Sequence, residues 1–334
     1  MKRLPGSLKI PPLPPFSKKI PAPLQRIIDK LYRYPKSRLL KIRKQGGWWN
    51  SHLIERERRA MERASERLFV PYEEAGAPLE VHFLTGRHYW YQTVFCMYSL
   101  QKAAGRSFRW HLYDDGTFDE ALIARMKAQA PGAVVHTRQE IEARLRVCLP
   151  EQDYPFLWRK RRVYPHLKKL TDIHAGSQGW KLVLDSDMLF YKNPDLLIKW
   201  LSSPQQTFHI LDIINSYGYP INLMEKISGN PIQEKVNVGA VGIKSEEINW
   251  KLLDQWGKEL EEKKGASYFL EQALTAMLIG QNSCTIGPSN EYIVMPSKEQ
   301  VLLNMGTMHH YVDSSKEWYF KISWKQVCPN ESCS

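Results

Sequence analysis

Cysteine is scarce. The 334 residues hold five (Cys96, Cys148, Cys284, Cys328 and Cys333), and no two stand at C-x-x-C or zinc-ligand spacing. Reduced thiols are therefore expected, with Cys96 and Cys284 as packing residues beside apolar runs. Long apolar runs are missing too: no stretch approaches the roughly 18 consecutive apolar residues of a membrane span, and Leu182–Leu184 and Val238–Ile243 are strand-sized. The basic N-terminus lacks the continuous apolar segment of a secretory signal, so a soluble chain made in the cytosol is expected, with Asn330-Glu331-Ser332 an unused glycosylation sequon. Acid is nearly absent from one region. Residues 1–50 hold 13 Lys and Arg against Asp29 alone, which accounts for the whole formal charge of +12. The high isoelectric point thus belongs to an arm and not to the body. No zinc-finger spacing, RNA-recognition signature or helical basic stripe accompanies that charge, so no nucleic-acid partner is expected.

What is present is ample core material: 43% apolar residues, with 11 Trp, 16 Tyr and 11 Phe. Eight of the 21 prolines fall in the first 35 residues, a composition that favours extended or irregular chain. Leu24, Ile27, Ile28 and Leu31 carry helical spacing there, and Pro35 would end that helix. A solvated tail is the plainer reading of the arm. The functional reading is attachment to anionic membrane lipid or an acidic polymer, at the inner face of a membrane.

The organisation expected is a basic Pro-rich arm over 1–50, a helical linker over 51–78, a main domain over 79–320 and a tail over 321–334. Within the main domain Leu79–Leu84 reads as a strand, Tyr89–Ala104 as a helix stopped by Gly105, and Phe108–Tyr113 as a second strand. Residues 118–130 read as a helix, Ala133–His136 as a third strand, 139–148 and 164–175 as helices, and Trp180–Leu184 as a fourth strand. Phe208–Leu211 and Val236–Ile243 follow as strands, Glu247–Lys263 and Tyr268–Ile279 as helices. Such alternation predicts an α/β fold with a largely parallel sheet covered on both faces, whose ligands bind beyond the carboxyl ends of the strands.

At one such end stands Leu184-Asp185-Ser186-Asp187-Met188. Two carboxylates at i and i+2 after a buried strand repel unless a cation lies between them, and hard divalent cations such as Mn²⁺ or Mg²⁺ also recruit phosphate oxygens. Ser186 turns its side chain the other way. Near the C-terminus His309-His310 lies on a strand, where an imidazole can complete the shell begun by Asp185 and Asp187, and Lys316, six residues on, suits a diphosphate.

This pattern resembles the nucleotide-sugar glycosyltransferases of the GT-A fold, and most nearly glycosyltransferase family 8, whose C-terminal motif runs approximately H-x-x-G-x-x-K-P-W. His310, Lys316 and Trp318 sit at matching offsets, with Asp313 in place of the Gly and Glu317 in place of the Pro. Asn237-Val238-Gly239 resembles the family's Asn-x-Gly strand, Glu271-Gln272 its Asp-Gln pair, and Lys168 the base on the helix before the acidic motif, with His166 and Lys169 as neighbours able to take its place.

The resemblance implies a Rossmann-like mixed, mostly parallel sheet. It implies a metal-dependent, retaining transfer of sugar from a nucleoside-diphosphate sugar, most readily a UDP-sugar, to a glycan or glycolipid acceptor. It assigns the metal to Asp185, Asp187 and His310, catalysis to Gln272 and Asp187, and the donor to Thr85, Gly86, Lys168, Asp185, Ser186, Asn237, Gly239 and Lys316. Asp212 is a further candidate for a hydroxyl contact, and Asp114-Asp115-Gly116 reads as a turn. Two alternatives remain: a non-catalytic binding module on the same scaffold, and a phosphohydrolase of the haloacid-dehalogenase type, which also carries a strand followed by Asp-x-Asp.

Overall fold

The computed structural model describes residues 42–43, 46–73, 78–280 and 282–329. The helix expected around Leu24–Leu31 and the sequon lie outside these residues. The chain divides into two compact units, Met1–His52 and Leu53–Ser334, and the second holds the sheets and the helices that cover them. A helix labelled α1 spans Trp48–Ser65 and buries Ile54 and Met61.

The central sheet alternates strand and helix in its first half. β1 (Glu80–Thr85), α2 (Trp90–Ala104), β2 (Arg109–Asp114), α3 (Glu120–Gln129), β3 (Val134–His136), α4 (Arg138–Cys148), α5 (Pro155–Val163), α6 (Lys168–His174) and β4 (Trp180–Leu184) follow in order. Local chemistry sets their ends. Gly105 takes φ +60° to close α2, Asp119 caps α3 through the Leu122 amide, and Thr137 with Glu140 forms a reciprocal capping box on α4. The second half adds β5 (Met188–Phe190), α7 (Asp195–Ser202), β6 (Thr207–Leu211), α8 (Ile221–Ser228), β7 (Val236–Lys244), α9 (Trp250–Lys264), α10 (Leu270–Ile279), β8 (Cys284–Gly287), β9 (Tyr292–Val294), α11 (Lys298–Leu302) and β10 (Met308–His310).

Seven strands form one sheet in the order β3-β2-β1-β4-β7-β6-β8, and β5-β10-β9 form a second. In the large sheet only β7 runs against its neighbours. The fold is therefore mixed α/β with a mostly parallel sheet, as the strand–helix alternation requires. Strand alternation splits the core in two. Val81, Phe83, Trp110, Leu112, Leu182 and Leu184 pack on one face with α1, α2 and the small sheet. Tyr113, Val183, Val238 and Val241 pack on the other, under α4 to α6 and α8 to α10.

Several elements escaped the periodicity, the helices α7, α8 and α11 among them. α5 buries Phe156, Leu157 and Trp158 on a basic nine-residue helix, and β5 and β9 are three-residue strands, too short to show a period. Cys96, Cys148 and Cys284 are free thiols, whereas Cys328 is disulfide-bonded, contrary to the expectation of reduced thiols throughout.

The second core layer is rich in histidine. His82 stacks on His111 with 4.6 Å between ring centroids, His136 stacks on Tyr113 at 4.1 Å, and His111 Nδ1 lies 3.0 Å from His136 Nε2. Burial, reinforced by nearby Lys181 and Arg144, lowers His174 to about 3. Burial and the neighbouring His111 lower His136 to about 4. Unfolded histidine binds a proton near pH 6.5, so below that value the unfolded state takes up protons that the folded state refuses. Stability is expected to fall as pH drops from about 6.5 toward 4. Glu271, raised to about 7 by burial, works in the opposite sense, as do Asp115 and Asp254, which burial also raises. The melting midpoint should fall on the order of 5 °C between pH 7 and pH 5; a flat profile would contradict this reading of the layer.

Candidate active site

Three backbone contacts bring the acidic pair and the late histidine together. β10 pairs antiparallel with β5 in a register that sets His310 opposite Met188, and the Tyr311 amide donates to the Asp187 carbonyl at 2.9 Å. On the other side the Asp185 amide donates to the Gly239 carbonyl at 2.7 Å. β7 carries a bulge here. Ile210 of β6 pairs with Asn237 while His209 pairs with Val241, so Val238, Gly239 and Ala240 have no counterpart on β6. Bulges re-aim side chains, and this one brings the β7 backbone against the histidine. A Cβ on Gly239 would collide with the His310 ring, so only glycine fits.

One ligand atom each from Asp185, Asp187 and His310 lie within 4.8 Å of one another. His310 Nε2 stands 3.3 Å from Asp187 Oδ1 and 3.6 Å from Asp185 Oδ2. The ring is buried, and neither of its nitrogens has a hydrogen-bond partner among the described residues. A buried imidazole without partners costs free energy unless something satisfies it. Two carboxylates and that nitrogen, converging on one point, are a donor set that fits a divalent cation.

Two lysines flank the pair. Lys316 Nζ donates to Asp187 Oδ2 at 2.6 Å, and Lys169 Nζ donates to Asp185 Oδ1 at 3.0 Å and to the Val238 carbonyl at 3.2 Å. Burial would raise the Asp187 carboxyl, but Lys316 and His310 outweigh it and hold the group well below the carboxylate range. Burial likewise works against the Lys169 ammonium, and Asp185 and Glu271 more than offset it. Glu271 is itself buried, with its carboxylate 3.5 Å from Lys169.

These groups line a cavity of about 670 Å³ together with Asp212, Asn237, Gly239, Glu271 and Gln272. Gln272 is fixed from below, its Nε2 donating to Asp212 Oδ2 at 2.9 Å and to the Val236 carbonyl at 2.8 Å. Both amide hydrogens are thereby used, and its oxygen is the atom left to meet a ligand. The mouth is apolar: Ile214 and Tyr268, exposed by 65% and 67%, line it with Ile213 and Phe269. No periodicity marked Ile213 and Ile214, whereas Tyr268 and Phe269, expected to open a helix, sit on the turn just before α10.

Asp313, which stands where the resembled motif has glycine, takes φ +47°. Aspartate is among the residues that tolerate that region, so the substitution keeps a glycine-like backbone. Glu317 pairs with Lys321 at 2.8 Å, and Lys298 lies 5.5 Å from the centre of the Trp318 ring.

Four residues expected at the donor do not line the cavity of Asp185, Asp187 and His310. Thr85 and Ser186 both bond Thr93, with oxygen separations of 2.6 and 2.8 Å, and this buried hydroxyl chain ties β1, α2 and the acidic loop together. Gly86 faces the Asp115 carboxylate, which a Cβ would strike. Lys168 turns to the β2 turn and donates to the Asp115 carbonyl at 2.5 Å, while its neighbour Lys169 reaches the acidic pair. Successive helical residues point about 100° apart, so neighbours on α6 serve different cavities. Asp114 Oδ1 accepts from the Gly116 and Phe118 amides at 2.7 and 3.0 Å, the hydrogen bonding of a turn.

No protein-family model and no curated protein matches the chain. Among solved structures it is similar to the galactosyltransferase LgtC, crystallised with donor and acceptor sugar analogues, with TM-score 0.49 and 16% identity over 75% of this chain and 98% of that one. It is similar to the bifunctional glycosyltransferase WbbM, with TM-score 0.48 and 12% identity over 78% of this chain and 51% of that one. Mouse xyloside xylosyltransferase 1 gives TM-score 0.45 and 11% identity over 69% of this chain and 96% of that one. These values describe a likeness of overall shape.

Proposed function

We propose that the chain is a metal-dependent glycosyltransferase that moves a sugar from a nucleoside-diphosphate sugar, most readily a UDP-sugar, to a glycan or glycolipid acceptor. The observation that carries this reading is the buried His310 ring, neither of whose nitrogens is hydrogen-bonded among the described residues, with Nε2 3.3 Å from Asp187 and 3.6 Å from Asp185 in one cavity with Gln272. Asp185, Asp187 and His310 would hold the cation, and a donor set of carboxylate and imidazole favours Mn²⁺ over Mg²⁺. A bound divalent cation supplies positive charge against the diphosphate oxygens, which lowers the cost of the leaving group's departure. Lys316 and Lys169 add fixed positive charge at the cavity wall, aimed where negative charge grows. The Gln272 oxygen, held by its own amide bonds, suits the positive charge that develops on the sugar ring. Asn237, whose Oδ1 accepts from the Gly239 amide at 2.9 Å, and Asp212 are placed for hydroxyl groups. Retention of configuration fits this cavity, since attack from the leaving-group side asks for no protein nucleophile.

Incubation with Mn²⁺ and UDP- or GDP-sugars tests the proposal. Metal-dependent release of nucleoside diphosphate is expected. Phosphate release from monoesters alone would make the protein a hydrolase, and nucleotide binding without turnover would make it a binding module.

The arm over residues 1–50 fits a peripheral role at an anionic membrane. Its 13 basic residues end at Trp48 and Trp49, which are 63% and 85% exposed, and tryptophan favours the bilayer interface while each Lys or Arg near an anionic surface adds about 1 kcal/mol. Deleting residues 1–45 is expected to weaken binding to phosphatidylserine vesicles at least ten-fold and to spare turnover on a soluble acceptor. Unchanged vesicle binding would refute the membrane role.

A further inference from the structure

A cavity of about 820 Å³ opens beside the outer strands of the sheet, beyond the carboxyl ends of β2 and β3. Three of its residues, Arg138, Glu142 and Arg146, lie at four-residue spacing on one face of α4. Arg161 and Arg162 reach it from α5, and Lys168 from the first turn of α6. Five cations thus meet three carboxylates, and the carboxylates are already engaged. Glu142 accepts from Arg138 at 2.8 Å, Glu151 from Arg162 at 2.6 Å, and Asp115 from the Thr117 hydroxyl at 2.6 Å. Arg161 is anchored bidentately on the buried Asp172 at 2.6 and 2.8 Å.

Two cations are left without a salt bridge among the described residues. Lys168 is half-buried, and its ammonium bonds the Asp115 carbonyl; Arg146 makes no hydrogen bond or ion pair among the described residues. Gly116, at φ +109°, lets the backbone come close to that ammonium, since a Cβ there would lie 3.3 Å from Lys168 Nζ. The one aromatic in the lining, Trp158, is buried, with the Arg161 and Arg162 guanidiniums 5.7 and 5.5 Å from its ring centre. The cavity therefore offers positive charge and hydrogen-bond donors but no open ring face for a nucleobase.

The geometry points to a second ligand site, separate from the cavity of Asp185, Asp187 and His310, that takes a phosphorylated small molecule of about sugar size. Arginine forks match phosphate oxygens in pairs, and the volume lies in the range of small-molecule sites. Lys168 and Lys169, neighbours in sequence, would then each meet an anion, one in each cavity.

Titration calorimetry on the full chain with glucose 6-phosphate, glucose and inorganic phosphate, at constant ionic strength, tests the site. Saturable binding of glucose 6-phosphate is expected at least ten-fold tighter than that of glucose, with Arg146→Gln and Lys168→Met each weakening it ten-fold or more. Arg146 is exposed, so its variant should keep the wild-type melting midpoint. UDP with Mn²⁺ is expected to leave glucose 6-phosphate binding unchanged. Displacement by UDP would make the cavity part of the donor site and overturn the proposal. So would binding that Arg146→Gln and Lys168→Met leave intact, no saturable binding, or a preference for inorganic phosphate alone. None of these outcomes depends on whether the first cavity transfers sugar.

Discussion

Asp187→Ala is expected to lower Mn²⁺-dependent sugar transfer on the order of a thousand-fold or more, while the melting midpoint in chelator stays near that of the wild type. The reason is what the carboxylate touches. Its Oδ2 accepts from Lys316 at 2.6 Å and its Oδ1 lies 3.3 Å from His310 Nε2, so it joins both the expected metal shell and the cationic wall. Its loss relieves repulsion with Asp185 even as it strands Lys316, and the two effects on folding oppose each other. Asp185→Asn, which keeps the volume, should show the same loss of turnover. A second readout separates metal from mere charge. Mn²⁺ should raise the melting midpoint of the wild type through binding to the folded state, and should fail to do so for either variant. Wild-type turnover in Asp187→Ala would remove the metal hypothesis.

Gly239→Ala is the smallest change with a large expected effect. The new Cβ would overlap the His310 ring and lie 2.8 Å from Asn237 Oδ1, in a strand whose backbone is held by Asp185. A loss of activity of a hundred-fold or more is expected, with folding destabilised by about 1–3 kcal/mol from overpacking. The double variant Gly239→Ala with His310→Ala distinguishes the collision from a general defect. It should recover most of the melting midpoint and none of the activity. Should the single variant melt and turn over like wild type, β7 does not approach the histidine this closely.

The parts of this site that were legible in the sequence are those carried by one strand end. Trp180–Leu184 is apolar and bounded, so the position of Asp185 at the carboxyl edge follows from it. His310 was legible from a short strand near the C-terminus and from its distance to Lys316 and Trp318, whereas its pairing was not, because β10 is three residues long and its partner β5 shows no pattern. Lys168 and Lys169 illustrate a firmer limit. A helix start uncertain by one residue rotates every side chain by about 100°, and no composition signal tells which lysine faces the acids. Thr85 and Ser186 show another. A hydroxyl near a ligand edge looks the same in sequence whether it meets a ligand or, as here, a buried threonine on another element.

The Val238–Ala240 bulge has a cost that reaches beyond the site. The β6–β7 ladder gives up its continuity where the histidine must be met, while on the other side of β7 the Ala240–Leu184 pair and the Asp185–Gly239 bond keep the strand tied to β4. A shortened chain lacking them would lose the buried Val238 and Ala240 side chains and the Gly239 carbonyl that holds the Asp185 amide, and would turn Val236 and Asn237 to the opposite faces of the sheet. The interruption is therefore fixed by the acidic loop it supports, and screens for hardier variants need turnover as a concurrent criterion.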